Sequence, residues 1–431
     1  MDEFNQRDVN ECIEMLSRAE DPDDAFLAWQ HLQKKYSNLS AIVALTKYER
    51  AVIPSSIKKY VAKEKKSLTP YFSTEKLYFL DDELVSGMYS MTEFKFSVDY
   101  TLAFDGNIAT YINKLVRGEP LGEIQARVVE LMDDILHDGL NFDFLFYMVE
   151  NVKNVLATID NQVPSKIEFW RSLNREFRRN LVSLQIFRSI DSDEYKRTCN
   201  PRPQFSYRQA ARMAIDFAYD FYASEPGRKD ILRFVLLQRT VLLHLIGMVK
   251  IQLSSGKGAK YKINEYFKYV HEVVGMYFDR EAVIAHKYFS DRSNVKILEG
   301  IKKGNNKIGL LKKLDNIAWD IVSPRFMEKL ILSGGDGRYF IPMFVTFDSK
   351  LHDLLAHHPI KGVIFNKKTG VFAPIPAINT RNYFSQHQVQ EGIDHLHSEP
   401  MKHERRSRAR HTRQSVNRLI LREYRLLRAL I

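Results

Sequence analysis

The chain has 431 residues and a mass of 50.4 kDa, so the sequence predicts two or three domains rather than one core. Hydrophobic residues make up 45% and charged residues 27%, a globular composition that excludes a chain disordered throughout. Only Cys12 and Cys199 are present, which excludes a disulfide-stapled secreted scaffold, and the charged first residues lack the apolar segment of a signal peptide. We therefore expect a soluble, cytoplasmic protein.

The positive charge is concentrated near the end of the sequence. The formal net charge is +11, and residues 401–431 hold ten Lys or Arg against two Glu, a net charge of +8. Such a local basic segment predicts a docking element for nucleic acid or another polyanion. The arginines predicted to contact nucleic acid are Arg405, Arg406, Arg408, Arg410, Arg413, Arg418, Arg422 and Arg425.

The first half of the chain is predicted to be helical on both sides of one strand. Residues 1–93 resemble a series of short amphipathic helices. From Phe94 to Phe104, aromatic and β-branched residues predict a strand that ends at Asp105, and a helix is expected from near Ile108.

A long helical region follows, from residue 121 to about residue 332. Its most apolar stretch, Ile231 to Leu253, contains two Arg, one His and one Lys. A membrane span would not tolerate these groups, so we expect a buried core helix and no contact with a membrane.

Two further strands and a basic helix are predicted beyond this region. Phe340 to Phe347 reads as a strand with Asp348 at its end, and Gly362 to Asn366 as another strand. Residues 380–400 resemble a linker, and residues 415–431 an amphipathic helix. Its apolar residues are expected to dock on the body of the protein or on a second subunit: Leu419, Leu426, Leu427 and Leu430.

Asp105 and Asp348 each stand between an apolar strand and a helix start. Side chains at the carboxyl ends of parallel strands converge on one crevice, where two carboxylates repel each other unless a divalent cation lies between them. Oxygen-rich acidic clusters suit Mg²⁺ or Mn²⁺, and these ions suit phosphodiester hydrolysis. Each aspartate could equally be a helix cap or turn residue.

These segments resemble the PIN-domain nucleases. The strand end Phe344-Val-Thr-Phe-Asp348 and the helix Asp315-Asn-Ile-Ala-Trp-Asp320 carry the resemblance, together with the first strand and its Asp105. The resemblance implies a catalytic, metal-binding quartet of Asp105, Glu150, Asp348 and either Asp315 or Asp320. Asp315 and Asp320 are five apart on one helix, so at most one is expected to face the site.

The resemblance implies a mostly α protein with a small α/β core, a PIN-like parallel sheet split by a large helical insertion. The predicted divisions are a helical region 1–93, core segments 94–155 and 308–378, an insertion 156–307, and a linker with basic tail 379–431.

The implied function is that of a metal-dependent nuclease, with RNA favoured over DNA, and such a protein would suit a bacterial toxin or phage-defence effector. A homo-oligomer or a regulatory protein partner is compatible with it.

Two other interpretations stay open. The HEPN ribonucleases are helical, need no metal and use an Arg followed four to six residues later by His; three pairs fit that spacing, Arg239 with His244, Arg280 with His286, and Arg406 with His411. Alternatively, the protein binds nucleic acid through its tail without catalysis, as a scaffold. The histidines lack partners at zinc-ligand spacing, so no zinc site is predicted.

Overall fold

The computed structural model describes residues 6–50, 55, 58–61, 67–90, 96–159, 165–304, 308–333 and 337–431. The start of the strand predicted from Phe94 lies outside these residues. Within them the protein is mostly helical with two small sheets, as the sequence predicts for the fold class.

Two four-stranded sheets lie within the described ranges. Their strands are β1 (Ser40–Ala44), β2 (Leu68–Pro70), β3 (Leu77–Asp81), β4 (Val98–Phe104), β5 (Phe142–Asp143), β6 (Tyr339–Val345), β7 (Ile360–Asn366) and β8 (Val371–Pro376).

The helices surround these sheets. They are α1 (Gln6–Arg18), α2 (Pro22–Gln33), α3 (Lys58–Val61), α4 (Asp82–Ser90), α5 (Gly106–Val116), α6 (Gln125–Asp138), α7 (Leu145–Glu150), α8 (Val152–Ile159), α9 (Lys166–Ser172), α10 (Arg175–Arg188), α11 (Ser192–Thr198), α12 (Tyr207–Tyr222), α13 (Glu225–Ser254), α14 (Ala259–Tyr269), α15 (Asp279–Ser290), α16 (Lys296–Glu299), α17 (Leu310–Val322), α18 (Phe326–Ser333), α19 (Ser349–Ala356), α20 (Thr380–Gln386), α21 (Gln390–Leu396) and α22 (Glu399–Arg428).

The sheet that positions the candidate site has the strand order β2-β6-β4-β5. Strand β4 is parallel to both β6 and β5, and β2 pairs antiparallel with the outer side of β6. All seven residues of β6 are buried, as expected for an apolar run covered on both faces of a parallel sheet. The register pairs Phe104 with Val345, so β4 and β6 end side by side.

The second sheet, in the order β3-β1-β7-β8, is antiparallel and contradicts the prediction that residues 1–93 are wholly helical. Strands β1 and β3 come from that segment, and β1 lies between β3 and β7. Helices α1 and α2 pack on one face of this sheet, with Trp29 fully buried. The prediction failed because a short apolar run such as Ala41 to Leu45 has no period that separates a buried strand from a buried helix.

Helix α13 is the centre of the largest hydrophobic cluster. It packs against α22, α17 and α14, and its residues from Thr240 to Val249 are all buried. By length and composition it is the one described helix that could cross a membrane, but 67% of its apolar window is buried inside the protein. This agrees with the core helix predicted from the sequence.

The predicted linker at residues 380–400 is wrong, because α20 and α21 occupy most of it. Phe384, Ile393 and Leu396 are buried there. The side chain of Asn379 caps α20 by accepting a hydrogen bond from the Asn382 backbone N–H at 3.0 Å. These apolar anchors are spaced too widely in a polar sequence to produce a clear helical period.

The basic tail is a long helix, α22, docked on the body of the protein as predicted. Val416, Ile420 and Leu427 are buried against the cluster around α13, and buried Glu423 forms an ion pair with Lys250. The predicted apolar stripe was partly wrong, because Leu426 is exposed.

Two neighbouring leucines provide a test of this docking. Leu427 is 0% exposed and Leu426 is 52% exposed. We expect Leu427→Ala to lower the free energy of unfolding by about 2–5 kcal/mol, because it leaves a cavity under the helix. Leu426→Ala should change it by no more than about 0.5 kcal/mol. Urea denaturation measures both variants, and equal effects would contradict the docked position of α22.

Candidate active site

Asp105 and Asp348 lie at the carboxyl ends of the adjacent parallel strands β4 and β6. The backbone N–H of Asp105 donates to the Val345 carbonyl at 3.3 Å, which continues the pairing of the strands. The Thr346 hydroxyl accepts a hydrogen bond from the Asp348 backbone N–H at 3.0 Å and also bonds the Asp105 carboxylate. The predicted convergence of these two strand ends is therefore confirmed in the fold.

Both aspartates also cap the helix that follows. Asp105 accepts from the Ile108 backbone N–H at 2.7 Å at the start of α5, and Asp348 accepts from the Lys350 N–H at 2.8 Å at the start of α19. The cap interpretation from the sequence is thus correct. It does not compete with the site interpretation, because a capping carboxylate retains other lone pairs.

Glu150, the last residue of α7, reaches the same strand end. Its Oε2 accepts a hydrogen bond from the Gly106 backbone N–H at 2.6 Å. A β-carbon at position 106 would lie only 2.7 Å from that oxygen, so only glycine allows the carboxylate to approach the backbone this closely. The packing role of Gly106 therefore depends on Glu150, which is distant in the sequence.

The acidic residue that α17 contributes is Asp320, whereas Asp315 lies elsewhere. Asp315 forms an ion pair with Arg239 at 2.6 Å and accepts a hydrogen bond from Gln238. Asp320 interacts electrostatically with Asp105 and Asp348. Five residues turn a helix by about 140° beyond one full turn, so the two carboxylates face different neighbours. The choice that the sequence left open is resolved against Asp315.

Asp105, Glu150, Asp320 and Asp348, hereafter the acidic cluster, interact electrostatically. Burial makes the first three costly to ionise, whereas Asp348 is exposed. Loss of solvent, reinforced by Asp348, raises the pKa of Asp105 to about 6, although the Thr346 hydroxyl opposes the shift. Burial and Asp348 raise the pKa of Asp320 to about 7. Burial and Asp105 raise the pKa of Glu150 well above its usual range. The negative charges of Asp105 and Asp320 also raise the pKa of Glu150.

Lysines line a cleft that contains two members of the acidic cluster, and no motif in the sequence pointed to these lysines. A cleft of about 410 Å³ is lined by Asp320 and Asp348 and by three lysines, Lys312, Lys313 and Lys350. Lys153 also favours the ionised form of the buried carboxylates. Lys312, Asn316 and Asp320 follow each other at intervals of four on α17, a one-face spacing that was visible in the sequence.

Metal binding at the acidic cluster remains a prediction. The donors suit Mg²⁺ or Mn²⁺, because all four are carboxylates. In the described part of the chain, however, no three His, Cys, Asp or Glu side chains are already arranged as ligands of one ion.

Two of the three histidines in the HEPN-type patterns are buried in the protein core. His244 and His286 each share a hydrogen bond with a tyrosine hydroxyl, at 2.7 and 2.8 Å, and burial lowers the pKa of both to about 4. Arg239 and Arg280 each form an ion pair with a carboxylate. The third pattern lies on the outer surface of α22.

The eight arginines of α22 that are predicted to contact nucleic acid fall into three groups. Arg405 is buried and donates to the Leu396 carbonyl, so it cannot contact a ligand. Arg408 and Arg422 are exposed but pair with Glu404 and Glu423. The other five are exposed and have no ion pair with a described residue: Arg406, Arg410, Arg413, Arg418 and Arg425. Together with Arg428, which is also exposed but was not among the predicted contacts, they are hereafter the arginine face.

Comparisons with protein-family models, with curated proteins and with solved structures found no match to this chain.

Because Asp320 is largely buried, we expect the free energy of unfolding to depend on pH through this carboxyl. Its pKa, about 7 when folded, exceeds the ordinary value of 3.8, so the folded protein binds this proton more tightly than the unfolded chain. The associated stability is present below pH 4 and is lost as the pH rises to 7. Asp320→Asn should therefore be more stable than wild type at pH 8, by roughly 1–4 kcal/mol, and less so at pH 5.

Asp315→Asn is the matched control, since it removes a carboxylate from the same helix. It weakens the ion pair with Arg239 and should destabilise the protein at pH 8 by about 1 kcal/mol. Urea denaturation without divalent ions at both pH values measures the two variants. If the wild type is as stable as Asp320→Asn at pH 8, burial of the ionised Asp320 carboxylate does not destabilise the protein and the prediction is wrong.

Proposed function

We propose that the protein is a metal-dependent nuclease with a PIN-like core split by the long helical segment between α7 and α17. The observation that supports this best is the acidic cluster, in which Asp105 and Asp348 come from adjacent parallel strands and Glu150 and Asp320 from helices beside them. Carboxylates that share a buried crevice repel each other, and a divalent cation relieves that repulsion.

The residues that would hold Mg²⁺ or Mn²⁺ are those of the acidic cluster. Such an ion supplies a water of lowered pKa and neutralises charge on the leaving oxygen of a phosphodiester. The protein's own groups would do the rest: Thr346 orients the Asp105 carboxylate, and the Gly106 N–H holds Glu150. Lys312, Lys313 and Lys350 at the cleft would attract the phosphate.

Nucleic acid is the polyanion we propose as partner, and RNA is favoured over DNA by the resemblance to PIN nucleases. The arginine face and the cleft lysines are positive surfaces of a protein whose net charge is +11. The composition suits the cytoplasm, and a toxin or phage-defence effector would be a consistent biological role.

The second candidate is a nucleic-acid-binding protein without catalytic activity. It is favoured by the cap roles of Asp105 and Asp348, which account for both residues without a metal. The two functions share the arginine face and differ in whether the acidic cluster is needed for activity.

Substitution of the strand-end aspartates separates these candidates. Asp105→Asn and Asp348→Asn should each lower cleavage of RNA by about a hundredfold or more, because a metal ligand is lost. An asparagine oxygen still caps a helix, so folding should persist. Asp315→Asn, outside the acidic cluster, should cleave like wild type. The measurement is single-turnover cleavage of labelled RNA in Mg²⁺ or Mn²⁺, with circular dichroism as the folding control.

Chelation gives the complementary test. Excess EDTA should stop cleavage, and restored Mn²⁺ should recover it. Cleavage that continues in EDTA and disappears in His286→Ala or His244→Ala would replace this proposal with the HEPN-type mechanism. Binding of RNA with no cleavage under any of these conditions would favour the second candidate.

A further inference from the structure

A cavity of about 490 Å³ lies between β2, α15, α19 and the start of β7. Each of these elements contributes an apolar wall residue: Leu68, Ile284, Leu354 and Ile360. The cavity shares no described lining residue with the cleft that contains part of the acidic cluster. Pockets for small molecules have volumes of about 300–1,000 Å³ and mostly apolar walls with a few polar groups. This cavity therefore has the size and character of a separate ligand site.

His358 is a polar group of this cavity that the fold leaves unsatisfied. Its side chain lines the cavity and the residue is 7% exposed, yet neither ring nitrogen has a hydrogen-bond partner on another described residue. His352 in the same wall differs, because its Nδ1 shares a hydrogen bond with the Thr69 hydroxyl and its Nε2 donates to the Thr346 carbonyl at 3.0 Å. Buried polar atoms without a partner are uncommon in folded proteins. The His358 ring is thus available to a molecule inside the cavity.

The charged groups of the cavity are already paired. Burial and the nearby Arg280 lower the pKa of His358 to about 4, so its ring is uncharged at neutral pH. Arg280 pairs with Glu328 at 3.2 Å, and Glu75, also in the wall, pairs with Lys58 at 3.5 Å. An ion taken out of water needs an opposite charge that is free to pair with it. The described residues therefore favour an uncharged ligand.

The walls and the imidazole together define the chemistry of that ligand. Tyr71 and Phe72 line the cavity as an edge-to-face pair with ring centroids 5.1 Å apart, and Met327 lies in the same lining. Aromatic rings and thioethers pack well against another ring. A neutral imidazole offers one N–H donor and one nitrogen acceptor. An apolar ring that carries its own donor and acceptor nitrogens matches both features.

We propose that this cavity is a binding site for an uncharged heteroaromatic molecule, which packs between the apolar walls and forms a hydrogen bond with His358. The site needs neither a metal ion nor the proposed nuclease activity. Water alone would satisfy the imidazole but would leave the apolar walls hydrated. A ring ligand removes that apolar surface from water and also supplies the missing hydrogen bond.

Binding of small ring compounds to the full chain tests the site near neutral pH, in EDTA. The neutral heteroaromatic probes are benzimidazole, adenine and nicotinamide. Indene has the shape of benzimidazole without its nitrogens, and benzoate is a flat anion. Titrations followed by saturation-transfer NMR give the affinities. At least one heteroaromatic probe should bind with a Kd below about 1 mM, and benzimidazole should bind more tightly than indene or benzoate.

Two exposed alanines locate the binding. Ala356 is exposed and lines the cavity, so a large side chain there obstructs the cavity without entering the packed core. Ala356→Trp should weaken binding of the best probe by about tenfold or more. Ala126→Trp, the matched control, places the same side chain at an exposed position of α6 outside the cavity lining and should bind like wild type.

His358→Leu separates a ligand-binding histidine from a structural one. Leucine has a similar volume and no polar atoms, so the variant should have a Tm equal to or higher than that of wild type, because an unpartnered buried group is removed. It should nevertheless bind benzimidazole about tenfold more weakly, with little change for indene. Differential scanning calorimetry and the same titrations measure both effects.

Four results would overturn the site. They are no binding of any heteroaromatic probe below about 10 mM, tighter binding of benzoate than of every neutral probe, equal affinities of Ala356→Trp and Ala126→Trp, and a His358→Leu variant with a lower Tm and unchanged affinity. The first would mean that the cavity holds only water, and the last that His358 supports the fold.

Discussion

The parallel pairing of β4 with β6 is the contact on which the candidate site depends. These strands come from segments on either side of the long helical region, and their register brings Phe104 next to Val345. Asp105 and Asp348 then share the Thr346 hydroxyl at one strand edge. A shift of one residue in this register would turn each side chain to the opposite face of the sheet and separate the two carboxylates.

The carboxylates of the acidic cluster stabilise the fold in one way and destabilise it in another. As helix caps, Asp105 and Asp348 satisfy backbone N–H groups at the starts of α5 and α19, which stabilises the strand-to-helix turns. Burial of Asp105, Glu150 and Asp320 has the opposite effect at neutral pH, because loss of solvent raises the pKa of all three carboxyls. Such opposed contributions are typical of sites kept for function rather than for stability.

The sequence predicted the parts of this site that depend on local chemistry. Strands β4 and β6, their terminal aspartates and the helices after them follow from β-branched and aromatic runs that end in capping residues. The parts of the site that depend on packing were either missed or left undecided by the sequence. The sequence does not distinguish Asp315 from Asp320, because only the packing of α17 places Asp315 beside Arg239. It does not distinguish Arg405 from the neighbouring arginines either, because only the fold shows its hydrogen bond to the Leu396 carbonyl. The strands of the first 93 residues needed β7, far along the chain, as a partner.

Exposed lysines lie next to two carboxylates of the acidic cluster. Lys312, Lys313 and Lys350 line one cleft with Asp320 and Asp348, while Asp105 is almost inaccessible to solvent. Raised pKa values keep part of the acidic cluster protonated near neutral pH, which lowers its negative charge. Helix α22 is fixed by Leu427 and by the Glu423–Lys250 pair, so its arginines project from a rigid base rather than from a flexible tail. Fixed charges lose less conformational entropy when they bind a polyanion than charges on a flexible segment do.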